Sequence, residues 1–247
     1  MTRPYRRLFI PDSHHPFSDK SAYSIALEIG KEFRPDEIVI LGDFFDCYSI
    51  SEYPKDPLKG YHILKDELDE ASGELRRLEA FVKPKHRIIF IEGNHEFRIR
   101  RYIRKYADIL SGLITTSDIL RIPKHWLWVD WGPRNFYRCG KLIATHGSLS
   151  SKHVAAAMLS KYVASVIFGH THRIQEFNQL TVHGERRKAV TIGWLGDAGR
   201  AAEYIENVVD YQHGVGLGYF WPDGNFQLDV IEIGPKGAIY GDRIING

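Results

Sequence analysis

The sequence predicts an α/β protein, and three features predict it. Short apolar runs alternate with longer amphipathic stretches through the first two thirds of the chain, as strand and helix units around a buried sheet do. The tail changes to strand-like runs separated by glycine turns, which reads as antiparallel sheet. Polar clusters rich in Asp, His and Gly stand directly after apolar runs, where a sheet presents its loops to a ligand. With 247 residues, 43% of them hydrophobic, the chain can bury a sizeable core, and we read residues 1–247 as one domain.

Residues 7–10 make the first strand. From 21 to 33, Ala22, Ile25, Ile29 and Phe33 recur at helical spacing, and Pro35 ends that helix before a buried strand at 38–41. Tyr61, Leu64, Leu68, Ala71, Leu75, Leu78 and Val82 form one apolar stripe at spacings of three and four, the clearest helix in the chain. It lies between two strands, so it packs on the sheet rather than pairing as a coiled coil. Pro84 closes it, and 87–91 is the next strand. After Glu96, Ile99, Ile103, Tyr106 and Leu110 mark the inner face of a further helix whose cations lie mostly outside. Short strands at 142–145 and 165–168 flank an Ala-rich helix at 153–162. The tail strands fall at 190–192, 215–221 and 226–233.

Charge and cysteine content exclude several classes. A net charge of +2 is no general nucleic-acid footprint, although a local basic patch is compatible with it. Cys47 and Cys139 are far apart and outside any Cys-x-x-Cys spacing, so neither a disulfide framework nor a zinc ribbon is indicated. The apolar run behind Arg3, Arg6 and Arg7 is too short for a signal peptide, and no stretch is long enough to span a bilayer. The expected compartment is a reducing cytoplasm, with no membrane partner.

Five polar clusters carry the chemistry: Asp12-Ser13-His14, Gly42-Asp43-Phe44-Phe45-Asp46, Gly93-Asn94-His95-Glu96, His146-Gly147 and Gly169-His170-Thr171-His172. Carboxylate, imidazole and amide oxygen together make a mixed O/N donor set for Mn, Fe, Zn, Ni or Mg. A bridging carboxylate would bring two such ions close enough for in-line displacement at phosphorus.

These clusters, in this order, resemble the signature of calcineurin-like metallophosphoesterases, and they run from Asp12 to His172. The resemblance implies a four-layer α/β/β/α sandwich of mixed sheets with flanking helices. It implies two divalent ions, Mn foremost. Asp12, His14, Asp43 and His172 would hold one, and Asp43, Asn94, His146 and His170 the other, with Asp43 bridging. It further implies hydrolysis of a phosphate ester by a hydroxide generated on the ions, with His95 as general acid and Asp46 orienting its ring. Protein serine/threonine phosphatases continue the second motif with Arg-Gly, whereas Cys47-Tyr48 stand here. The Gly-His-x-His ending is similar to the branch of bacterial, archaeal and phage phosphodiesterases and the exonuclease subunits of DNA repair complexes. That branch would place the protein in a bacterial or phage-infected cell.

Lone histidines are more often surface or core residues than ligands, so His62, His86, His125, His153, His183 and His213 receive no function. His15 competes with its neighbour, but register favours His14. Arg98, three residues past His95, is the first candidate phosphate clamp, and Arg173, beside His172, is the second. The basic helix at 97–106 suits either phosphate binding or a solvated face. Trp126, Trp128, Trp131, Phe136 and Tyr137 interleave with Lys124, Arg134 and Arg138, a pattern that stacks bases in single-strand binders. The preferred reading is a hairpin packing its rings on the core. The expected substrate is DNA or a nucleotide. The alternatives are a phosphomonoesterase on a small molecule and a non-catalytic scaffold, as in the retromer subunit of this fold.

Overall fold

The computed structural model describes residues 3–54, 63–80, 87–199 and 210–247. The chain runs β1 (Tyr5–Ile10), α1 (Lys20–Phe33), β2 (Glu37–Ile40), α2 (Leu64–Glu79), β3 (Arg87–Ile91), α3 (Phe97–Tyr106), α4 (Thr116–Ile119), β4 (Leu127–Val129), β5 (Tyr137–Cys139), β6 (Leu142–Thr145), α5 (Val154–Tyr162), β7 (Ser165–Phe168), β8 (Ile174–Leu180), β9 (Arg186–Ile192), β10 (His213–Phe220), β11 (Phe226–Ile233), β12 (Ala238–Tyr240) and β13 (Arg243–Ile245). One sheet has the order β11-β10-β1-β2-β3-β4, and the second has the order β5-β6-β7-β9-β8. Both are mixed. Strands β1 to β4 are mutually parallel, as are β6, β7 and β9, while β10, β11, β5 and β8 join antiparallel.

The period of two along each strand builds the layers. Phe9, Val39, Leu41, Ile89 and Ile91 of the first sheet share one buried cluster with Leu142, Ala144, Ile167, Val190 and Ile192 of the second, so the sheets pack face to face. Their neighbours Leu8, Ile10, Ile38, Ile40, Ile88 and Phe90 point the other way, into a cluster with α1 and α2. On the far face, Ile143, Val166, Phe168 and Ala189 meet Val154, Ala155, Met158 and Leu159 of α5. The result is the expected sandwich of helices, sheet, sheet and helix.

Local signals explain the helices. Asp19 caps α1, accepting from the Ala22 amide at 2.8 Å, and Ala22, Ile25, Ile29 and Phe33 are buried as the spacing requires. In α2, Leu68, Ala71, Leu75 and Leu78 are the buried stripe, while Tyr61 and Val82 lie outside the described residues. Helix α3 buries Ile99 and leans Ile103 on the core, but Tyr106 is 62% exposed, so the inner face is shorter than its spacing implied.

The aromatic run after α4 is not a hairpin. Strand β4 joins the first sheet beside β3 and β5 joins the second, so the chain crosses between the two sheets there. The core role of its rings stands in part. Trp126 is buried and Trp128 stacks on Phe90 at 5.1 Å, whereas Phe136 is exposed.

Candidate metal centre

Strands β1, β2, β3, β6 and β7 end at one rim, and each hands the chain to one of the five polar clusters. The backbone there is bent into conformations that side chains seldom adopt. His14, Asp43, His170 and His172 all have left-handed φ values, between 47° and 71°. Such strain persists only where surrounding contacts overdetermine it, and it concentrates at functional sites.

Those contacts are identifiable. The Ser13 and His14 amides donate to the Asp43 carbonyl at 3.0 and 2.9 Å, locking the first cluster to the second. Asp12 accepts from the His170 amide at 2.9 Å, tying the first sheet to the second. A side chain at Gly93 would collide with Asp43 Oδ1, and one at Gly169 with Asp12 Oδ1. Both glycines therefore make room for a carboxylate. Glu96 is fully buried and accepts from the Asp43, Phe45 and Gly93 amides at 3.0, 2.8 and 2.8 Å. It buckles the second cluster to the third, a role that sequence reading missed because nothing in a motif distinguishes a buried glutamate from an exposed one. Burial and the nearby Asp43 carboxylate push its pKa up to about 8, against the pull of its amide donors.

The candidate ligands converge in two groups. Ligand atoms of Asp12, His14 and His172 lie within 4.8 Å of one another, as do those of Asp43, His146 and His170. Asn94 completes the second group, its Oδ1 lying 2.9 Å from His146 Nε2 and 2.8 Å from His170 Nδ1. The chemistry of these contacts fits a cation. His146 Nδ1 faces the Leu41 carbonyl at 2.8 Å, and a carbonyl only accepts, so Nδ1 carries the proton and Nε2 presents a lone pair. That lone pair confronts Asn94 Oδ1 and, at 3.3 Å, Asp43 Oδ2. Three acceptors meeting in this way repel unless a proton or a metal ion joins them. His14 repeats the pattern: Nδ1 lies on Asp46 Oδ2 at 3.0 Å, which leaves Nε2 pointing at His172 Nε2, 3.1 Å away.

The electrostatics agree. Burial alone would raise Asp12 and Asp43, yet the surrounding histidines hold both below the usual carboxylate range. Burial would lower His146, but Asp43 and Asp12 push it up to about 10. His170 goes the other way, to about 4, through burial and the neighbouring His146. The centre is thus a buried concentration of ionised carboxylate that draws in positive charge, and metal binding must displace the protons it collects.

The second partner pair lies beside these groups. His95 Nδ1 is 3.0 Å from the Asp46 carbonyl and 3.3 Å from its carboxylate, while Nε2 is 3.8 Å from Asp43 Oδ2. Arg98 is buried, donates to the Asp46 carbonyl at 2.9 Å and brings its other terminal nitrogen within 3.0 Å of His95 Nε2. A cavity of about 560 Å³ opens over His14, Asn94, His95, Arg98 and His172.

Other expectations separate. Arg173 turns away from the cavity, donating to the Ser150 and Ser151 carbonyls at 3.2 and 2.8 Å. His15 is buried between Tyr23 and Phe44, with ring centroids 4.6 Å from each, and burial lowers its pKa to about 3. Among the remaining histidines, His125 pairs with Glu79 and His213 with the Gly196 carbonyl, while His62 and His86 lie outside the described residues. Five cavity residues went unforeseen: Ser51, Glu52 and Tyr53, and Trp194 and Tyr211, which enclose the His172 ring. Among the described residues no helix is long and apolar enough to cross a membrane.

Comparison with known proteins gives three findings. The family described as calcineurin-like phosphoesterase matches residues 5–174. The gene 54 protein of Mycobacterium phage D29 is 25% identical over 243 residues, covering 89% of this chain and 90% of that one, and its counterpart in Mycobacterium phage L5 is 25% identical over 181 residues, covering 68% and 69%. Among solved structures, Vps29 of Cryptosporidium parvum is similar at a TM-score of 0.46 and 12% identity, covering 94% of this chain and 99% of that one. Vps29 of Entamoeba histolytica gives 0.40 at 12%, with 93% and 99% covered. With the family match spanning all five polar clusters, the chain belongs to the calcineurin-like phosphoesterases.

Proposed function

We propose that this protein is a dinuclear metal-dependent phosphodiesterase acting on nucleic acid or nucleotides. The observation that carries the reading is His95, a histidine anchored on Asp46 that lines the same cavity as His14 and His172 of one candidate ligand group and Asn94 of the other. Asp12, His14 and His172 would hold one ion, and Asn94, His146 and His170 the other, with Asp43 between them. Bound there, divalent ions acidify water and neutralise charge on a phosphate. The chain's own groups do the rest. Asp46 fixes the His95 ring through Nδ1, and Nε2, which accepts from the Arg98 guanidinium in this structure, takes up a proton and parts from Arg98 before handing that proton to the departing oxygen. Arg98 lies within reach of that nitrogen and supplies a fixed guanidinium for a phosphate oxygen. A scaffold needs neither a proton donor nor its carboxylate partner, and the contact of His95 with Asp46 supports the enzyme reading over that one.

The test is a hydrolysis panel with Mn²⁺: bis-p-nitrophenyl phosphate, p-nitrophenyl phosphate, cyclic nucleotides, and single- and double-stranded DNA. The reading expects the diesters to turn over faster than the monoester. Monoester preference would favour the small-molecule phosphatase instead, and no turnover with two ions bound would favour the scaffold.

A further inference from the structure

The reaction cavity continues along one face of α3. Arg98 and Arg101 line both the main cavity and a smaller adjoining one of about 260 Å³, which runs on past Tyr102, Lys105 and Tyr106. Along the helix axis Arg101 lies about 4.5 Å beyond Arg98, and Lys105 about 10.5 Å beyond it. The three cations therefore form a ladder leading away from the reacting centre. Tyr102 and Tyr106 stand beside it, both exposed, with ring centroids 4.8 Å apart.

Glu52 occupies this ladder. Its carboxylate takes Arg101 at 3.0 Å and Lys105 at 3.0 Å, with all three side chains more than half exposed. Exposed pairs of this kind are weak and easily exchanged. A phosphate carries the same charge as Glu52 and more acceptor oxygens. Arg100 and Arg104 do not share the role: Arg100 is committed to Glu92 and Asp130, and Arg104 lines neither cavity.

We propose that Arg101 and Lys105 form a second phosphate subsite for a single-stranded polynucleotide, that Glu52 fills it until a substrate phosphate displaces the carboxylate, and that Tyr102 and Tyr106 receive the adjoining bases by stacking. This rests on the phosphodiesterase reading for the position of the scissile phosphate, but the subsite itself binds without chemistry.

The experiment measures binding of a fluorescein-labelled oligothymidylate by anisotropy across a salt series, for the parent, R101A/K105A and E52Q. The double variant should bind about tenfold more weakly, with a salt slope flatter by roughly 0.7 per lost phosphate contact. E52Q should bind more tightly than the parent, because it leaves both cations without their carboxylate. Equal affinity and equal slope in the parent and the double variant would overturn the subsite. Hydrolysis of bis-p-nitrophenyl phosphate by the parent is followed in parallel. Its absence, alongside the expected binding responses, would overturn the catalytic reading and leave the subsite standing.

Discussion

His172 lies face to face with Trp194, ring centroids 4.6 Å apart and planes 14° apart. Its Nε2 is the atom that looks into the centre, 3.3 Å from Asp12, while the buried Nδ1 has no hydrogen-bond partner among the described residues. Metal-ligating histidines ordinarily fix their orientation through that second nitrogen. Here stacking does it, with Tyr211 closing the edge.

The consequence is that W194L should loosen one ion more than the other. We expect about a tenfold loss of affinity at the Asp12, His14 and His172 group, the lower end of the range for a lost supporting partner. W194F, which keeps a ring to stack, should retain it. Competition with a fluorescent chelator measures both, and equal affinities in parent and W194L would remove the stacking account.

Asp43 groups with His146 and His170, and the bridging role that the resemblance implies for it predicts that D43N weakens both ions together and takes metal content from close to two per chain toward none. A carbon at position 93 should do the same indirectly, because G93A drives a side chain into the Asp43 carboxylate. Elemental analysis after dialysis against limiting Mn²⁺ reads both. Loss of a single ion in D43N would mean that Asp43 serves one site.

Asp46 touches His14 through one contact and His95 through another, and that allows metal binding to be separated from proton transfer. H95A should keep its metals and lose about a hundredfold to ten-thousandfold in rate. D46N should lose rate and metal retention together. If H95A hydrolyses diesters as fast as the parent, His95 is not the proton donor.

A pH effect on stability should come from Glu67, away from the candidate ligands. Buried on α2, it accepts from the Tyr48 and Ser49 amides at 2.8 and 2.6 Å, and burial raises its pKa to about 7. A carboxyl with a raised folded pKa favours the fold below its unfolded value, near 4.5, and loses that contribution as pH climbs through 7. The parent should therefore lose stability relative to E67Q between those limits and run parallel to it above them. Urea midpoints across that range would contradict the assignment if the two proteins ran parallel throughout.

The legible parts of this fold were those with local causes. Strand β3 and strand β11 are bounded where alternation and flanking turns put them, and the buried stripe of α2 follows from its spacing. The candidate ligands were legible because each cluster is a short polar interruption after an apolar strand. What stayed hidden depends on partners distant in sequence. Glu96 reaches back 53 residues to the Asp43 amide, and Trp194 meets His172 only through the crossing of two chain segments. The step of the chain from one sheet to the other between β4 and β5 likewise leaves no periodic mark, which is why its aromatic run reads as a hairpin. Arg173 sits beside the candidate ligand His172 in sequence, but its side chain goes to the Ser150 and Ser151 carbonyls, because adjacency in sequence does not set direction.

The most direct measurement is diester turnover against metal stoichiometry. Protein stripped with a chelator and titrated with Mn²⁺ should be inactive at first and reach full hydrolysis of bis-p-nitrophenyl phosphate only as the second ion per chain is bound. Full turnover with no ion or one, or none with both bound, would contradict a dinuclear phosphodiesterase.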